Sequence, residues 1–320
     1  MKLLSLAAAL PFALAAAAAH AAPPDVADPD APPWAGSEIS IKHAFSVGSL
    51  MPGFERTYNP VLLQSLSLDP VWRLSPRLVL TAHAGVETEL TNSDTSSYER
   101  QPLLEDTTVT ASYGRIGLAA DAFMVASLRL ALPTSKEAIA RDRIAAFSPA
   151  LNVGRDFHVN SDVLVTPFVT LRGTYNWQLS TTLLYDGPTI TGCNVAGGSC
   201  ESFDHSGARS SVASFVEVVG VNVALPHHVG LTAQAWWVQS WLYDLSPATG
   251  PTGEPVAELD STDWRLGNVY LVGAEWQVTR RWKLSGGFQT ENPQQRPDGS
   301  YYAPFFNRYT QVFVTAAAVF

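Results

Sequence analysis

The sequence predicts an all-β protein, a transmembrane antiparallel up-and-down β-barrel of about twelve strands. Three observations support this fold class. The last segment, residues 305–320, alternates between two kinds of side chain and ends on an aromatic residue, Phe320. After the N-terminal leader, no apolar run approaches the roughly eighteen residues of a membrane-spanning helix. The connections between the strand-like segments also alternate in length, long and then short.

The N-terminal 21 residues have the pattern of a secretory signal peptide. Lys2 gives the positive start, residues 3–19 are apolar, and Ala19-His20-Ala21 is an A-x-A cleavage site. A membrane-spanning helix is the alternative, but a proline-rich stretch follows rather than basic residues. We therefore predict a signal peptide (1–21), an acidic, mobile periplasmic tail (22–36) and a barrel (37–320).

Composition excludes several classes of protein. The formal net charge is -9, which disfavours a nucleic-acid binder because phosphate backbones require a basic surface. Hydrophobic residues make up 46% of the chain and charged residues 15%, with apolar and polar residues interleaved. Such interleaving is typical of a transmembrane barrel, and a soluble β-sandwich or barrel remains the alternative.

Period-two alternation divides the mature chain into strands. The clearest hairpin is formed by the second and third segments, joined by the brief Ser75-Pro76 turn. The predicted strands cover residues 37–50, 61–74, 77–91, 106–115, 119–132, 144–155, 163–181, 211–225, 229–243, 265–279, 282–290 and 305–320.

The connections are long after every odd-numbered strand and short after every even-numbered one. In outer-membrane barrels the short turns are periplasmic and the long loops are extracellular. Both chain ends then lie on the periplasmic side, which requires an even number of strands. Twelve strands satisfy that requirement.

Aromatic residues cluster near the predicted strand ends, where amphipathic rings favour the headgroup level of a membrane. This position predicts two aromatic girdles, and a soluble aromatic core is the alternative. The girdle candidates are Trp72, Trp177, Trp236, Trp237, Trp241, Tyr243, Trp264, Tyr270, Trp276 and Trp282.

Two cysteines, Cys193 and Cys200, lie in the longest predicted loop within the sequence CNVAGGSC. Six intervening residues, two of them glycine, let the chain fold back far enough for a disulfide in an oxidising compartment. A redox or metal role is the alternative, but His205 alone does not complete a ligand set.

The polar faces of the strands are predicted to line the lumen. Their mixed charges point to a narrow channel for small polar solutes or ions, or else to a structural barrel plugged by the same side chains. No cofactor is expected. The main pore candidates are Lys42, Glu87, Asp121, Arg129, Arg172, Glu275 and Lys283. The same faces also carry Asp69, Arg73, Arg77, His83, Asn222, Gln234, Arg265 and Gln277.

On these features, residues 37–320 resemble the monomeric outer-membrane β-barrel proteins of diderm bacteria. The resemblance implies an integral outer-membrane location among outer-membrane lipids and lipopolysaccharide. It also implies that the strand ending at Phe320 is an insertion signal read by the barrel assembly machinery.

Some barrels of this class are phospholipases or lipid A deacylases, so an outer-membrane lipid hydrolase is a third hypothesis. The outer-membrane phospholipase pattern has His and Ser two residues apart, whereas His205 and Ser206 are adjacent here. Adjacent strand residues point to opposite faces, so this pair is poorly placed to act as base and nucleophile. We therefore expect that the protein is not an enzyme.

The predicted loop at residues 244–263 is acidic and contains no Lys or Arg. Facing lipopolysaccharide phosphates, carboxylates such as those of Glu258 and Asp260 could bind bridging Ca²⁺ or Mg²⁺, both of which prefer oxygen ligands. No EF-hand spacing is present. The alternative is that these charges keep a mobile surface loop solvated, and no metal site is assigned.

Overall fold

A computed structural model of the chain describes residues 31–47, 62–90, 100–185, 204–244, 263–292, 302–307 and 309–320. Twelve strands form a closed antiparallel barrel. They are β1 (Glu38–Ser46), β2 (Leu62–Asp69, continued by Val71–Arg73), β3 (Leu78–Glu89), β4 (Thr107–Gly117), β5 (Ala122–Leu132), β6 (Arg143–Arg155), β7 (Leu164–Gln178), β8 (Ser211–Leu225), β9 (Val229–Leu242), β10 (Trp264–Thr279), β11 (Trp282–Asn292) and β12 (Thr310–Val319).

Several shorter elements accompany the twelve barrel strands. Pro102–Leu104 pairs with β3, Phe157–His158 pairs with β7, and Thr182–Tyr185 forms a separate hairpin with Asp204–Arg209. A short helix, α1 (Lys136–Ala140), lies between β5 and β6, and a 3₁₀ turn, Pro226–His228, joins β8 to β9. Among the described residues, no helix has the length and apolarity to span a membrane.

Each barrel strand pairs antiparallel with its neighbours in sequence, and β12 closes the ring by pairing with β1 from Glu38–Val319 to Ser46–Gln311. The predicted twelve-strand barrel is thus confirmed. The predicted strand β2 is interrupted at Pro70, because proline has no N–H to donate to the ladder. The Pro70 carbonyl still accepts from the Ala82 N–H at 2.9 Å.

Short connections and both described chain ends lie at one end of the barrel, called here the turn end; the longer connections lie at the loop end. Two of these turns place successive residues at positive φ: Ala120 and Asp121 (both 58°), and His227 and His228 (63° and 59°). Such pairs occur in tight hairpin turns because they match the right-handed twist of paired strands. The predicted alternation of long and short connections is confirmed.

The outer wall is apolar between a level of aromatic residues near the turn end and a level of polar residues nearer the loop end. Trp72 and Trp276 lie near the turn end and are each 48% exposed. Eight residues along the same strands, the outward positions become polar at Gln64 and Asn268. With a rise of about 3.3 Å per residue and a tilt of about 40°, this spacing corresponds to an apolar band of roughly 20 Å, near the 25 Å typical of transmembrane barrels.

The end of the predicted mobile tail is not free. The Trp34 ring packs 6.0 Å from the Trp72 ring, and the Arg73 N–H donates to the Pro33 carbonyl at 2.8 Å. The Gly36 N–H donates to the Phe320 carbonyl at 2.7 Å, and the Phe320 N–H donates to the Ser37 carbonyl at 2.9 Å. These contacts attach the segment before β1 to β2 and to the end of β12. The signal peptide lies outside the described residues.

The Phe320 ring is 61% exposed on the outer wall at the turn end, so its side chain contributes little to packing within the barrel. We predict that Phe320→Asp impairs assembly into the outer membrane, because it puts a charge on the outer wall and alters the terminal strand. The heat-modifiable, folded band on gels of cell envelopes measures this effect. The control is Gln311→Ala on the inner wall of β12, and an equal folded fraction in both variants would contradict the prediction.

Candidate functional site

The inner wall of the barrel carries the predicted site residues, and β7 illustrates how alternation sorts them. Its outward residues Val169 and Leu171 are 44% and 42% exposed. The intervening residues Thr170, Arg172 and Thr174 face inward and are half-buried. Since successive side chains of a strand point to opposite faces, the polar half of the β7 sequence faces the lumen.

Three inward phenylalanine rings lie along the wall rather than across the lumen. A Cβ built on Gly154 would meet the Phe123 ring at 2.6 Å, and one built on Gly220 would meet the Phe168 ring at 2.5 Å. The Phe313 ring lies 3.1 Å from a Cβ built on Gly287, but there the backbone of Val272 and Gly273 is closer. Because Gly154 and Gly220 have no side chains, the Phe123 and Phe168 rings occupy the space that a side chain at those positions would fill.

An apolar cluster occupies the inner wall of β8, β9 and β10. Its centre is Trp236, which is 4% exposed and donates from Nε1 to Gln234 Oε1 at 2.9 Å. The prediction that Trp236 belongs to an outer girdle was therefore wrong. Trp236 and Trp237 are adjacent in one strand, so only one of them can face outward. The cluster comprises Val216, Val218, Trp236, Val238 and Val269, with Phe168 packed against it.

His83 joins two carboxylates on the opposite part of the wall. Its Nδ1 lies 2.7 Å from Asp69 on β2, and its Nε2 lies 2.7 Å from Glu105, just before β4. An imidazolium can donate to both oxygens at once. Gly85 leaves the space for Glu105, since a Cβ there would lie 2.7 Å from the Glu105 carboxyl carbon. The triad thus connects three successive strands.

The sequence did not identify Glu105 as a lumen residue. Leu104 pairs with Val86 and Thr108 with His83, so the register shifts by one residue between them. The extra residue forms a bulge at residues 105–106, which re-aims side chains. The only signal in the sequence was the polar pair Glu105-Asp106 ahead of the alternating residues of β4, and such a pair does not indicate a bulge.

Lys283 is held in a carboxylate cluster near the turn end. Its Nζ lies 2.5 Å from Glu38 and 3.6 Å from Glu275. Lys42 lies on the adjacent wall, with its Nζ 5.2 Å from the centre of the Phe313 ring. Glu87 accepts from the Ser65 hydroxyl at 3.4 Å. On the inner wall at β1–β3 and β10–β12, most cationic side chains therefore lie against a carboxylate or an aromatic ring.

Arg129 on β5 and Arg172 on β7 are half-buried on the inner wall. Neither side chain has a hydrogen bond or ion pair to another described residue, and Arg129 Nε is fully buried without an acceptor. By contrast, Arg143 pairs with Asp106 at 2.5 Å. The wall of β5–β7 thus carries two guanidinium groups whose hydrogen-bonding capacity is not met by the described protein.

Asp121, predicted to line the lumen as part of a strand, does not lie on a barrel strand. The residue lies in the turn between β4 and β5, is exposed and has a φ of 58°. Its carbonyl accepts from the Asp156 N–H at 3.2 Å at the turn end. Strand β5 begins at Ala122, because Ala120 and Asp121 form the two-residue turn before it.

Other predicted sites lie outside the described residues. They are the cysteine pair Cys193 and Cys200, and the weak metal candidates Glu258 and Asp260. His205 and Ser206 lie on one strand of the Asp204–Arg209 hairpin. Among the described residues, no group of three or more His, Cys, Asp or Glu side chains is suited to a metal ion.

A titratable carboxyl group lies at the loop end, outside the barrel strands. Burial raises the pKa of Glu137 in α1 to about 7, and its ion pair with Arg141 offsets only part of that rise. The Ser135 side chain caps the helix by accepting from the Ala138 N–H at 3.1 Å. The connection between β5 and β6 therefore contains a group that titrates near neutral pH.

Comparison with known proteins bears on the fold. The chain matches no protein-family model and no curated protein sequence. Its structure resembles the COG4313 outer membrane channel from Pseudomonas putida F1, with a TM-score of 0.52 and 13% sequence identity over 94% of this chain and 100% of that one. The chain has the outer-membrane β-barrel fold.

Two further solved structures are more distant. The KdgM porin aligns with a TM-score of 0.42 and 9% identity over 88% of this chain and 99% of that one. The CymD monoaromatic hydrocarbon channel aligns with a TM-score of 0.41 and 7% identity over 90% of this chain and 89% of that one. Likeness at this level carries no argument about what this chain transports.

We predict that His83→Ala lowers the free energy of unfolding of the barrel by about 1.5–3 kcal/mol, the usual contribution of hydrogen bonds to charged groups. The loss leaves the Asp69 and Glu105 carboxylates without the group between them. Urea unfolding in lipid vesicles measures it. The control is His43→Ala, which removes an exposed histidine from the outer wall; equal effects of the two substitutions would refute the role of the triad.

Proposed function

We propose that the protein is an integral outer-membrane channel through which small polar solutes diffuse. The observation that carries this proposal is the division of the barrel wall. Charged and hydroxyl side chains occupy inward positions, whereas the outward positions are apolar over a band of membrane thickness. A lumen that water fills is where such side chains remain solvated.

The dimensions of the barrel support a bore. Twelve strands about 4.8 Å apart and tilted by about 40° close into a cylinder with a backbone radius of roughly 12 Å. Many inward residues are small, among them Ser127, Ser148 and Ala150. The inward rings of Phe123 and Phe168 lie along the wall over glycines. Together these features leave space for a small hydrated solute.

The proposed orientation places the turn end in the periplasm and the loop end outside the cell. A signal peptide at residues 1–21 would bring the chain to the periplasm, and the assembly machinery would recognise the strand that ends at Phe320. The loops at the loop end would then face lipopolysaccharide. Within such a barrel we assign no enzymatic activity to the chain.

The lining predicted from sequence is revised at Lys283. Lys283 is engaged by Glu38 and Glu275, so its charge is largely balanced within the wall. Arg172 has no such partner among the described residues. We therefore assign the positive character of the bore to Arg172 and Arg129, rather than to Lys283.

Single-channel conductance in planar bilayers tests the proposal, and we predict discrete steps in KCl. Gly220→Ala should lower the step size, because the new Cβ would lie 2.5 Å from the Phe168 ring and push it toward the lumen. The accompanying loss of stability should be at most about 1–3 kcal/mol, as for other overpacked sites.

The matched control is Gly173→Ala on the outer wall of β7, where a new Cβ meets nothing within 4 Å. Equal step sizes in the two variants would remove the assignment of Phe168 to the bore. Silence of the folded, unmodified barrel would refute the channel and favour a structural barrel. Lipid breakdown by the purified barrel would favour the hydrolase.

A further inference from the structure

We propose that the inner wall of β5–β7 holds an oxyanion-binding site in which Arg129 and Arg172 are the ligating side chains. The site rests on the proposed function, because an anion reaches it only through an open lumen. It is defined by two guanidinium groups on facing strands, with the smaller side chains of β6 between them.

Within the described part of the chain, Arg129 and Arg172 have unmet hydrogen-bonding capacity. Both arginines are half-buried, neither has a hydrogen bond or ion pair to another described residue, and Arg129 Nε is fully buried. A guanidinium has five N–H donors and keeps its charge at any ordinary pH. Leaving such donors without acceptors is unfavourable, and a bound oxyanion would supply the acceptors.

The charged side chains near Arg129 are mostly positive. Arg172 and Arg143 repel the charge of Arg129, and Asp106 attracts it. Asp106 is already occupied, since one of its oxygens binds Arg143 at 2.5 Å and the other accepts from the Ser135 N–H at 3.1 Å. Among the described residues, the charges near Arg129 and Arg172 therefore leave a net positive field.

The wall between the two arginines carries small side chains. Arg129 pairs with Ser148 on β6, and Arg172 pairs with Ala150 two residues further along the same strand. The two Cα atoms are thus two strands apart, about 10 Å laterally, with only small side chains between them. Two long side chains can converge over such a depression on one ligand.

Neighbouring polar groups extend the site. The hydroxyls of Ser148 and Thr174 lie 2.9 Å apart, and Asn152 donates to the Thr170 hydroxyl at 2.6 Å. Ser148 pairs with Arg129 across the strands, and the paired residues Asn152 and Thr170 lie two residues along from the pair of Ala150 and Arg172. A ligand that places an oxyanion between the arginines would find hydroxyl and amide partners around it.

The chemistry of the donors selects the ligand class. A guanidinium presents parallel N–H donors that match the oxygens of a carboxylate or a phosphate. Lys283 lies elsewhere on the wall and is held by Glu38 and Glu275, so it is not part of the site. The proposed ligand is a small carboxylate or phosphate in transit through the lumen.

Equilibrium binding to the purified, detergent-folded barrel tests the site independently of conduction. The probes are inorganic phosphate, followed by ³¹P line broadening, and ¹³C-labelled acetate, followed in the same way. We expect the double variant Arg129→Gln/Arg172→Gln to weaken binding at least about tenfold, since a hydrogen bond to a charged group contributes about 1.5–3 kcal/mol.

Two controls address folding and charge. Lys283→Gln should leave phosphate affinity unchanged, because that charge is already paired. Arg129→Lys/Arg172→Lys keeps both charges but removes the guanidinium groups. Its phosphate affinity should therefore lie between that of the unmodified barrel and that of the double glutamine variant. Every variant must first give the heat-modifiable folded band. A stronger response to phosphate than to acetate, or the reverse, identifies which oxyanion the site prefers.

The site is refuted if the unmodified barrel binds neither probe, or if the double glutamine variant binds them equally well. Conductance in KCl alone separates this outcome from the fate of the proposed function. A barrel that conducts but binds neither oxyanion remains a channel without this site. A barrel that binds phosphate through the two arginines but never conducts keeps the site and loses the channel.

Discussion

The structure depends on closure of the ring between the first strand and the last. Within a bilayer each unpaired backbone N–H or C=O is costly, so a sheet can span the membrane only if it has no edge. Pairing of β1 with β12 along the whole of both strands meets that requirement. The contacts of Gly36, Ser37 and Phe320 extend the pairing past the last strand residue. The two walls exist as distinct surfaces only because the ring closes.

Once the ring is closed, strand alternation gives the two walls opposite chemistry. The inner wall is itself divided into three parts: an apolar cluster around Trp236, a part where carboxylates hold His83 and Lys283, and a part where Arg129 and Arg172 have no partner among the described residues. A solute in the lumen would meet these surfaces on different sides. In the proposed channel, these surfaces would orient a charged solute more strongly than a neutral one.

Inward glycines have a specific role in this arrangement. At Gly154 and Gly220 the absent side chain leaves the space that the rings of Phe123 and Phe168 occupy. At Gly85 the same absence admits the Glu105 carboxylate that contacts His83. Bulky inward residues are thereby kept against the wall, so the sequence can place aromatic rings inside the barrel without filling it.

The strand number, the alternation of loops and the inward position of Arg129, Arg172 and Lys283 could be predicted, because they follow from a period of two and from the spacing of turns. The bulge that turns Glu105 inward could not, because its signal is a one-residue shift between strands far apart in sequence. Trp236 was misassigned because two adjacent tryptophans look alike until the register is fixed. The pairing of Lys283 but not Arg172 depends on neighbours across strands, which alternation alone does not identify.

The most direct test of the account is water accessibility along β7. Cysteines are introduced one at a time at inward Thr170, Arg172 and Thr174 and at outward Val169, Leu171 and Tyr175, with Cys193 and Cys200 replaced by serine. The barrel is then reconstituted in lipid vesicles and treated with a membrane-impermeant thiol reagent. Labelling at the three inward positions and protection at the three outward ones is the predicted result. Labelling that does not alternate, or protection at all six positions, would contradict a water-filled lumen lined by the polar face of this strand.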